Sequence, residues 1–85
     1  MGRYQVAVSK VAQKQLDKFP DYIAEMLISV IQKLADNPRP AGYIKLKGRK
    51  GFRIRKGNYR IIYDIYDAIL VVDVIAIGHR KEIYD

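Results

Sequence analysis

Phe52-Arg53-Ile54-Arg55-Lys56-Gly57-Asn58-Tyr59-Arg60-Ile61-Ile62-Tyr63 decides the fold. Apolar and charged residues alternate on both sides of Gly57-Asn58, which is the pattern of two strands joined by a tight hairpin turn. A two-residue loop fixes the pairing, because a slip of one residue turns every side chain to the other face. Lys56 then faces Tyr59, Arg55 faces Arg60, Ile54 faces Ile61, Arg53 faces Ile62 and Phe52 faces Tyr63. Phe52, Ile54, Ile61 and Tyr63 share one apolar face. A three-residue loop would set Ile54 against Arg60 and destroy that agreement.

Working outward, Tyr59 to Tyr66 and Ile69 to Ile77 read as two further long strands, separated by Asp67-Ala68. A two-residue loop there places Ile65 opposite Leu70, Tyr63 opposite Val72 and Ile61 opposite Val74, so the apolar face continues over three strands. Tyr43 to Lys47 is a short strand candidate, and Gly48 with Gly51 brackets a basic turn. Upstream the period changes. Ile23, Met26, Leu27, Val30, Ile31 and Leu34 follow helical spacing over three turns. Val11, Ala12, Leu16 and Phe19 form a shorter stripe behind Ser9, a suitable N-cap, and Pro20 separates the two helices. Tyr4, Val6 and Val8 alternate with polar or small residues as an opening strand. The expectation is an α+β fold, β-α-α-β-β-β: an N-terminal strand, a helical hairpin, then an antiparallel sheet with both helices packed on one face. Residues 1–85 are expected to form a single domain.

The size agrees. A chain of 85 residues buries only about 60–65% of its unfolded surface, enough for one modest core. There is no cysteine and one histidine, which excludes a disulfide framework, a thiolate metal site and a cysteine nucleophile. No apolar run approaches the roughly 20 residues that span a bilayer, and the N-terminus has neither a secretory apolar region nor a myristoylation signal. A cytoplasmic protein without membrane contact is expected.

The net charge is +7, and the excess is local. Arg39, Lys45, Lys47, Arg49, Lys50, Arg53, Arg55, Lys56 and Arg60 occur in a stretch without an acid, while the other 63 residues are nearly neutral. Such concentration suits a polyanion, nucleic acid first, although a basic surface kept for solubility is the simpler alternative. The hairpin register gathers Arg53, Arg55 and Arg60 on the face away from the core, with Arg55 and Arg60 directly opposed. Like charges across a sheet are destabilising, so the cluster calls for a use or a neutralising partner. Asp73, diagonal to Arg60 in the expected register, is one such partner.

Seven of the nine acids are Asp, scattered over helices, turns and strands, and no phosphate-binding glycine loop, nucleophile elbow or zinc helix is present. Arg, Lys, Tyr and one His remain. These groups suit metal-free phosphoryl transfer on RNA, where the substrate supplies its own nucleophile, the 2′-hydroxyl, and needs positioning, charge stabilisation and proton transfer. A turn at Gly78-His79-Arg80 beside the arginine face would bring Arg80 and Tyr84 near Arg60. The plainer readings are a turn residue for His79 and a frayed terminal aromatic for Tyr84.

The Phe52–Tyr63 stretch, followed by Gly78-His79-Arg80-Lys81-Glu82-Ile83-Tyr84, resembles the RelE/ParE superfamily of toxins from prokaryotic toxin–antitoxin modules, and the RelE branch more closely. The resemblance covers the whole chain. It implies a toxin that cuts mRNA on the ribosome without metal or cofactor and is neutralised by a cognate antitoxin, with which it forms a hetero-oligomer. It assigns Arg60 and Arg80 to phosphate binding and transition-state stabilisation, and Tyr84 to the nucleotide being cut. Arg53 and Arg55 take the positions of a basic pair that is lysine in the best-known members. Arginine stays protonated near neutral pH, so their electrostatic role survives and an acid–base role does not. His79 is the natural substitute as proton carrier. Lys45, Lys47, Arg49, Lys50, Lys56 and Lys81 are expected to hold the RNA backbone. An acidic antitoxin segment is expected to cover the basic face or the helical hairpin. The alternatives are a ParE-like inhibitor of DNA gyrase that cuts nothing, and an RNA-binding domain without catalysis.

Overall fold

The computed structural model describes residues 3–79. The chain runs β1 (Gln5–Val8), α1 (Lys10–Lys18), α2 (Asp21–Asp36), β2 (Ile44–Lys45), β3 (Phe52–Lys56), β4 (Tyr59–Tyr66) and β5 (Val71–His79). The strands form one sheet in the order β1-β5-β4-β3-β2, and the helices pack on one face of it. This is the expected α+β arrangement with two corrections. Four strands rather than three follow the helices, since the short β2 pairs with β3 as a fifth member of the sheet. The sheet is mixed, because β1 lies parallel to β5 while the other neighbours are antiparallel. The chain leaves β1, crosses one face as two helices, and only the last strand returns beside it.

Local chemistry sets the helix ends. Ser9 Oγ accepts from the Ala12 N–H at 3.0 Å, capping α1. Pro20 has no N–H to continue α1, and its carbonyl accepts from Ile23 and Ala24, each at 3.0 Å, to start α2. At the other end of α2, Asn37 Oδ1 accepts from the Arg39 N–H at 3.1 Å and turns the chain between Pro38 and Pro40. Leu27, Ile31 and Leu34 are buried from α2 and Ala12 and Leu16 from α1, against Ile54, Ile61, Tyr63, Val72, Val74 and Ile77 of the sheet. Val11 does not join them; it is 58% exposed. Tyr63 spans the layers, its hydroxyl donating to the buried Pro38 carbonyl at 2.7 Å. Burial pushes that phenol up to about 12, so it remains a donor. No helix among the described residues is long and apolar enough to cross a membrane.

The β3–β4 register is the expected one at all five pairs. Gly57 has φ 59°, the left-handed geometry that the tight turn requires. β4–β5 departs from expectation. The turn takes four residues, Asp67 to Leu70, with Leu70 at φ 53°, and β5 starts at Val71 rather than Ile69. Ile65 therefore faces Val72, and Tyr63 faces Val74. A shift of two preserves the faces. Then β5 bulges: Ile62 faces Ala76 and Ile61 faces Ile77, leaving Ile75 as the extra residue. The apolar spacing explains it, since strict alternation after Val72 and Val74 would turn Ala76 inward instead of Ile77. Ser9 Oγ donates to the Ile75 carbonyl at 2.7 Å, so the α1 cap also holds the bulge. β2 is shorter than the expected Tyr43–Lys47 strand.

Candidate functional site

The sheet face turned away from the helices carries the arginines. Arg53 and Arg55 stand there on β3, followed by Arg60, Ile62, Asp64 and Tyr66 on β4. Arg55 lies directly across from Arg60, as the sequence register requires. On its other flank Arg60 faces Gly78, which has no side chain to compete for the space. Arg53 lies between Ile44 of β2 and Ile62 of β4. The three differ in exposure: Arg55 is exposed, Arg60 half-buried, and Arg53 only 8% exposed. Burial, and then the neighbouring Arg55 and Arg60 charges, pull the Arg53 guanidinium below its ordinary pKa. It still carries its proton at any physiological pH. The three charges therefore act on one another as a cluster and suit the oxygens of a phosphate group.

Asp73 does not neutralise Arg60. It lies opposite Asp64, whereas Arg60 lies opposite Gly78. That separation is four residues along the strand, roughly 13 Å.

The bulge also relocates His79. In an unbulged β5, Gly78 would face the helices and His79 would stand beside the arginines. One extra residue at Ile75 reverses the side chains from Ala76 to His79. His79 consequently faces Tyr59 on the helix side, their rings edge to face at 5.5 Å, and Tyr59 in turn meets Phe19 at 5.3 Å. β5 runs through Gly78 to His79 without the expected turn. Arg80, Lys81 and Tyr84 lie outside the described residues.

The basic turn is the tip of the β2–β3 hairpin, closed by the Leu46 N–H donating to the Gly51 carbonyl at 3.0 Å. Gly51 has φ 122°, and a Cβ there would stand 3.2 Å from the Tyr63 carbonyl oxygen, so backbone geometry and space both favour glycine. Lys47 and Arg49 are exposed on this tip. Lys50 is committed: its Nζ sits 3.3 Å from Asp64 Oδ2 and 4.8 Å over the Tyr66 ring. The Asp64 carboxylate raises the Lys50 pKa. Lys45 and Lys56 face Phe52 and Tyr59, on the helix side of the sheet rather than beside the arginines. Arg39 points elsewhere again, with both terminal nitrogens on Asp67, at 2.8 and 3.3 Å, next to the Tyr4 hydroxyl.

Sequence reasoning missed the Lys50–Asp64–Tyr66 group, and strand parity gave only its neighbourhood. Extending the β3–β4 register sets Gly51 opposite Asp64, but strict alternation would turn Lys50 to the helix side with Ile65; the turn before β3 brings it to Asp64 and Tyr66 instead. On the helix side, a pocket of about 370 Å³ is lined by Gln15, Lys18, Phe19 and Ile77. Gln15 Oε1 accepts there from the Ile77 N–H at 2.6 Å. Among the described residues, no three His, Cys, Asp or Glu side chains converge as metal ligands would.

Known proteins are similar to this chain in sequence and in fold. The sequence profile of the ParE toxin of the type II toxin–antitoxin system, parDE, matches residues 6–84. A RelE-like toxin protein of Escherichia coli is 31% identical over 83 residues, spanning 93% of this chain and 85% of that protein. Toxin RelE of Mycobacterium tuberculosis (strain ATCC 25618 / H37Rv) is 31% identical over 83 residues, spanning 95% and 86%. Among solved structures, a RelBE toxin–antitoxin complex of Mycobacterium tuberculosis superposes with a TM-score of 0.82 at 27% identity, over 92% of this chain and 99% of that one. The archaeal RelE–RelB complex of Pyrococcus horikoshii OT3 gives 0.82 at 25% identity, over 95% and 99%. Isolated Escherichia coli RelE gives 0.76 at 26% identity, over 89% and 83%. With a profile match over nearly its whole length and RelE toxins as its relatives in both sequence and fold, this chain belongs to the ParE toxin family of type II toxin–antitoxin systems, on the RelE side of the RelE/ParE superfamily.

Proposed function

We propose that this toxin is an mRNA endonuclease that acts on ribosome-bound message in the cytoplasm and is neutralised by a cognate acidic antitoxin. The observation that carries the reading is the cross-strand pair Arg55–Arg60, with Arg53 beside it, on the sheet face that the helices leave free. A protein without a polyanionic ligand gains nothing from opposing two guanidinium groups on rigid strands. In the proposed reaction the 2′-hydroxyl of the substrate attacks the adjacent phosphorus. The P–O5′ bond breaks, giving a 2′,3′-cyclic phosphate and a 5′-hydroxyl. Arg55 and Arg60 hold the non-bridging oxygens and stabilise the charge that grows there. Arg53 reinforces the field from below. The resemblance assigns Arg80 to the same oxygens and Tyr84 to the nucleotide being cut. The 2′-hydroxyl proton leaves to a base or water, and the 5′-oxygen takes one up. His79, on the opposite face, does not sit beside these arginines to carry either proton. The RelB–RelE complexes of similar fold support the antitoxin partner, and the +7 charge suits an acidic segment.

The test is induction in cells followed by mapping of mRNA 5′ ends. Cuts in phase with codons are expected. The family's ParE description favours one second reading, inhibition of DNA gyrase. A DNA-damage response without message cutting would establish it in place of the nuclease.

A further inference from the structure

We infer that Tyr66 and Lys50, held in place by Asp64, form a nucleobase subsite for single-stranded RNA on the same sheet face as the arginine cluster. The inference rests on the nuclease reading above and adds to it a second point of contact with the message. Arg60 and Tyr66 lie on one strand and project from one face. Six residues of strand separate them by about 20 Å, a span of several nucleotides. Tyr66 is 37% exposed and takes no part in the hydrophobic core. An aromatic ring at the open end of a basic face is the element on which bases stack without regard to sequence.

The surroundings of the ring are built rather than incidental. Asp64 is 4% exposed, and its Oδ1 accepts from the Ile65 N–H at 2.8 Å. Its Oδ2 holds the Lys50 ammonium at 3.3 Å, and that places the cation 4.8 Å over the Tyr66 ring. The Lys50 side chain is 71% exposed against 6% for Asp64. A fixed carboxylate thus positions a solvent-facing cation beside a partly open aromatic surface. A base stacked on Tyr66 would bring its phosphate within reach of Lys50, with Lys47 and Arg49 on the same hairpin tip adding to the field. The lysine is therefore a strut for the tip as well as a contact.

Binding of labelled single-stranded RNA to the purified protein tests this, with a 2′-deoxy nucleotide at the cut site so that nothing is cleaved. Two lengths are compared, one that reaches from the arginines past Tyr66 and one that stops short. Tyr66→Leu should weaken binding of the long RNA about tenfold and leave the short RNA unchanged. Tyr66→Phe should bind both like the parent, because stacking uses the ring and not the hydroxyl. The short RNA doubles as the control for folding. Equal binding of the long RNA by parent and Tyr66→Leu would overturn the subsite, and so would an equal loss in Tyr66→Phe. Cleavage of ribosome-bound mRNA by the parent, assayed in parallel, separates the two readings. A length-dependent Tyr66 effect without cleavage keeps the subsite and removes the nuclease. Cleavage without that effect does the reverse.

Discussion

Arg60 and Ile61 are neighbours on β4, yet they belong to two different regions of the molecule. Ile61 is fully buried under the helices within a continuous apolar cluster. Arg60, one residue earlier, stands on the other face opposite a second arginine. The helix-covered face supplies the stability, since apolar burial is the main favourable term in folding. The arginine face spends part of it, because like charges are held together on a rigid surface. Such a division predicts that substitutions on the two faces fail in different assays.

The largest effect belongs to the covered face. Ile61→Ala should cost about 2–5 kcal/mol, a large share of what holds so small a domain together. Chemical denaturation should show the midpoint fall, and any loss of toxicity should follow the loss of folded protein. An unchanged midpoint would mean that the covered face does not dominate stability. Arg60→Ala should do the opposite. Removing one donor to the transition-state oxygens typically costs about 10²–10³ in rate. Cleavage should fall by that factor while the denaturation midpoint falls far less than in Ile61→Ala, since Arg60 lies outside the apolar cluster. A folded Arg60→Ala protein of full toxicity would remove the arginine face from the chemistry.

What could be read from sequence divides along similar physical lines. The β3–β4 hairpin was legible because Gly57-Asn58 marks its own turn and both flanking strands alternate in the same phase. The arginine cluster followed from that parity alone. The β4–β5 hairpin was legible as two paired strands with the right faces, but its turn length was not, because Leu70 adopts a left-handed conformation for which a leucine gives no sign. A long-range contact fixes it: the Leu70 carbonyl accepts from the Gln5 N–H at 2.8 Å. The bulge has a local sign in the spacing of Val72, Val74 and Ile77, and Ser9 secures it from across the crossover by meeting the Ile75 carbonyl. The bulge, together with a strand that continues where a turn was expected, sets His79 on the helix side beside Tyr59. The helical hairpin was legible as spacing, but Val11 shows that one apolar residue at a helix start need not reach the core.

Tyr63 belongs to the covered face and sharpens its polar limit. Its hydroxyl is the donor to the buried Pro38 carbonyl, which ties the segment after α2 to the middle of the sheet. Tyr63→Phe leaves that carbonyl without this donor and should cost about 1–3 kcal/mol. Thermal unfolding should show the loss with toxicity intact at permissive temperature. A neutral result would mean that water replaces the phenol at Pro38.

The smallest expected effect lies at the rim, where Asp67 joins β1, the segment after α2 and the β4–β5 turn. Its carboxylate accepts from Arg39 at 2.8 and 3.3 Å and from the Tyr4 hydroxyl at 2.6 Å. The Arg39 guanidinium first, and Tyr4 second, hold the Asp67 carboxyl down to about 2, below its ordinary 3.8. A lowered folded-state pKa means that the folded protein binds this proton less readily than the unfolded chain. The contribution is therefore fully present above about pH 4 and is lost as pH falls toward 2. Both partners are partly exposed, with side chains 42% and 55% accessible, so solvent and salt screen the contact and the effect stays small. Stability measured between pH 5 and pH 2 should fall less steeply in Asp67→Asn than in the parent, and the two curves should converge at the acid end. Adding salt should shrink the gap at pH 5. Parallel curves over the whole range would show that the contact closes the rim by geometry alone and that its charge contributes nothing.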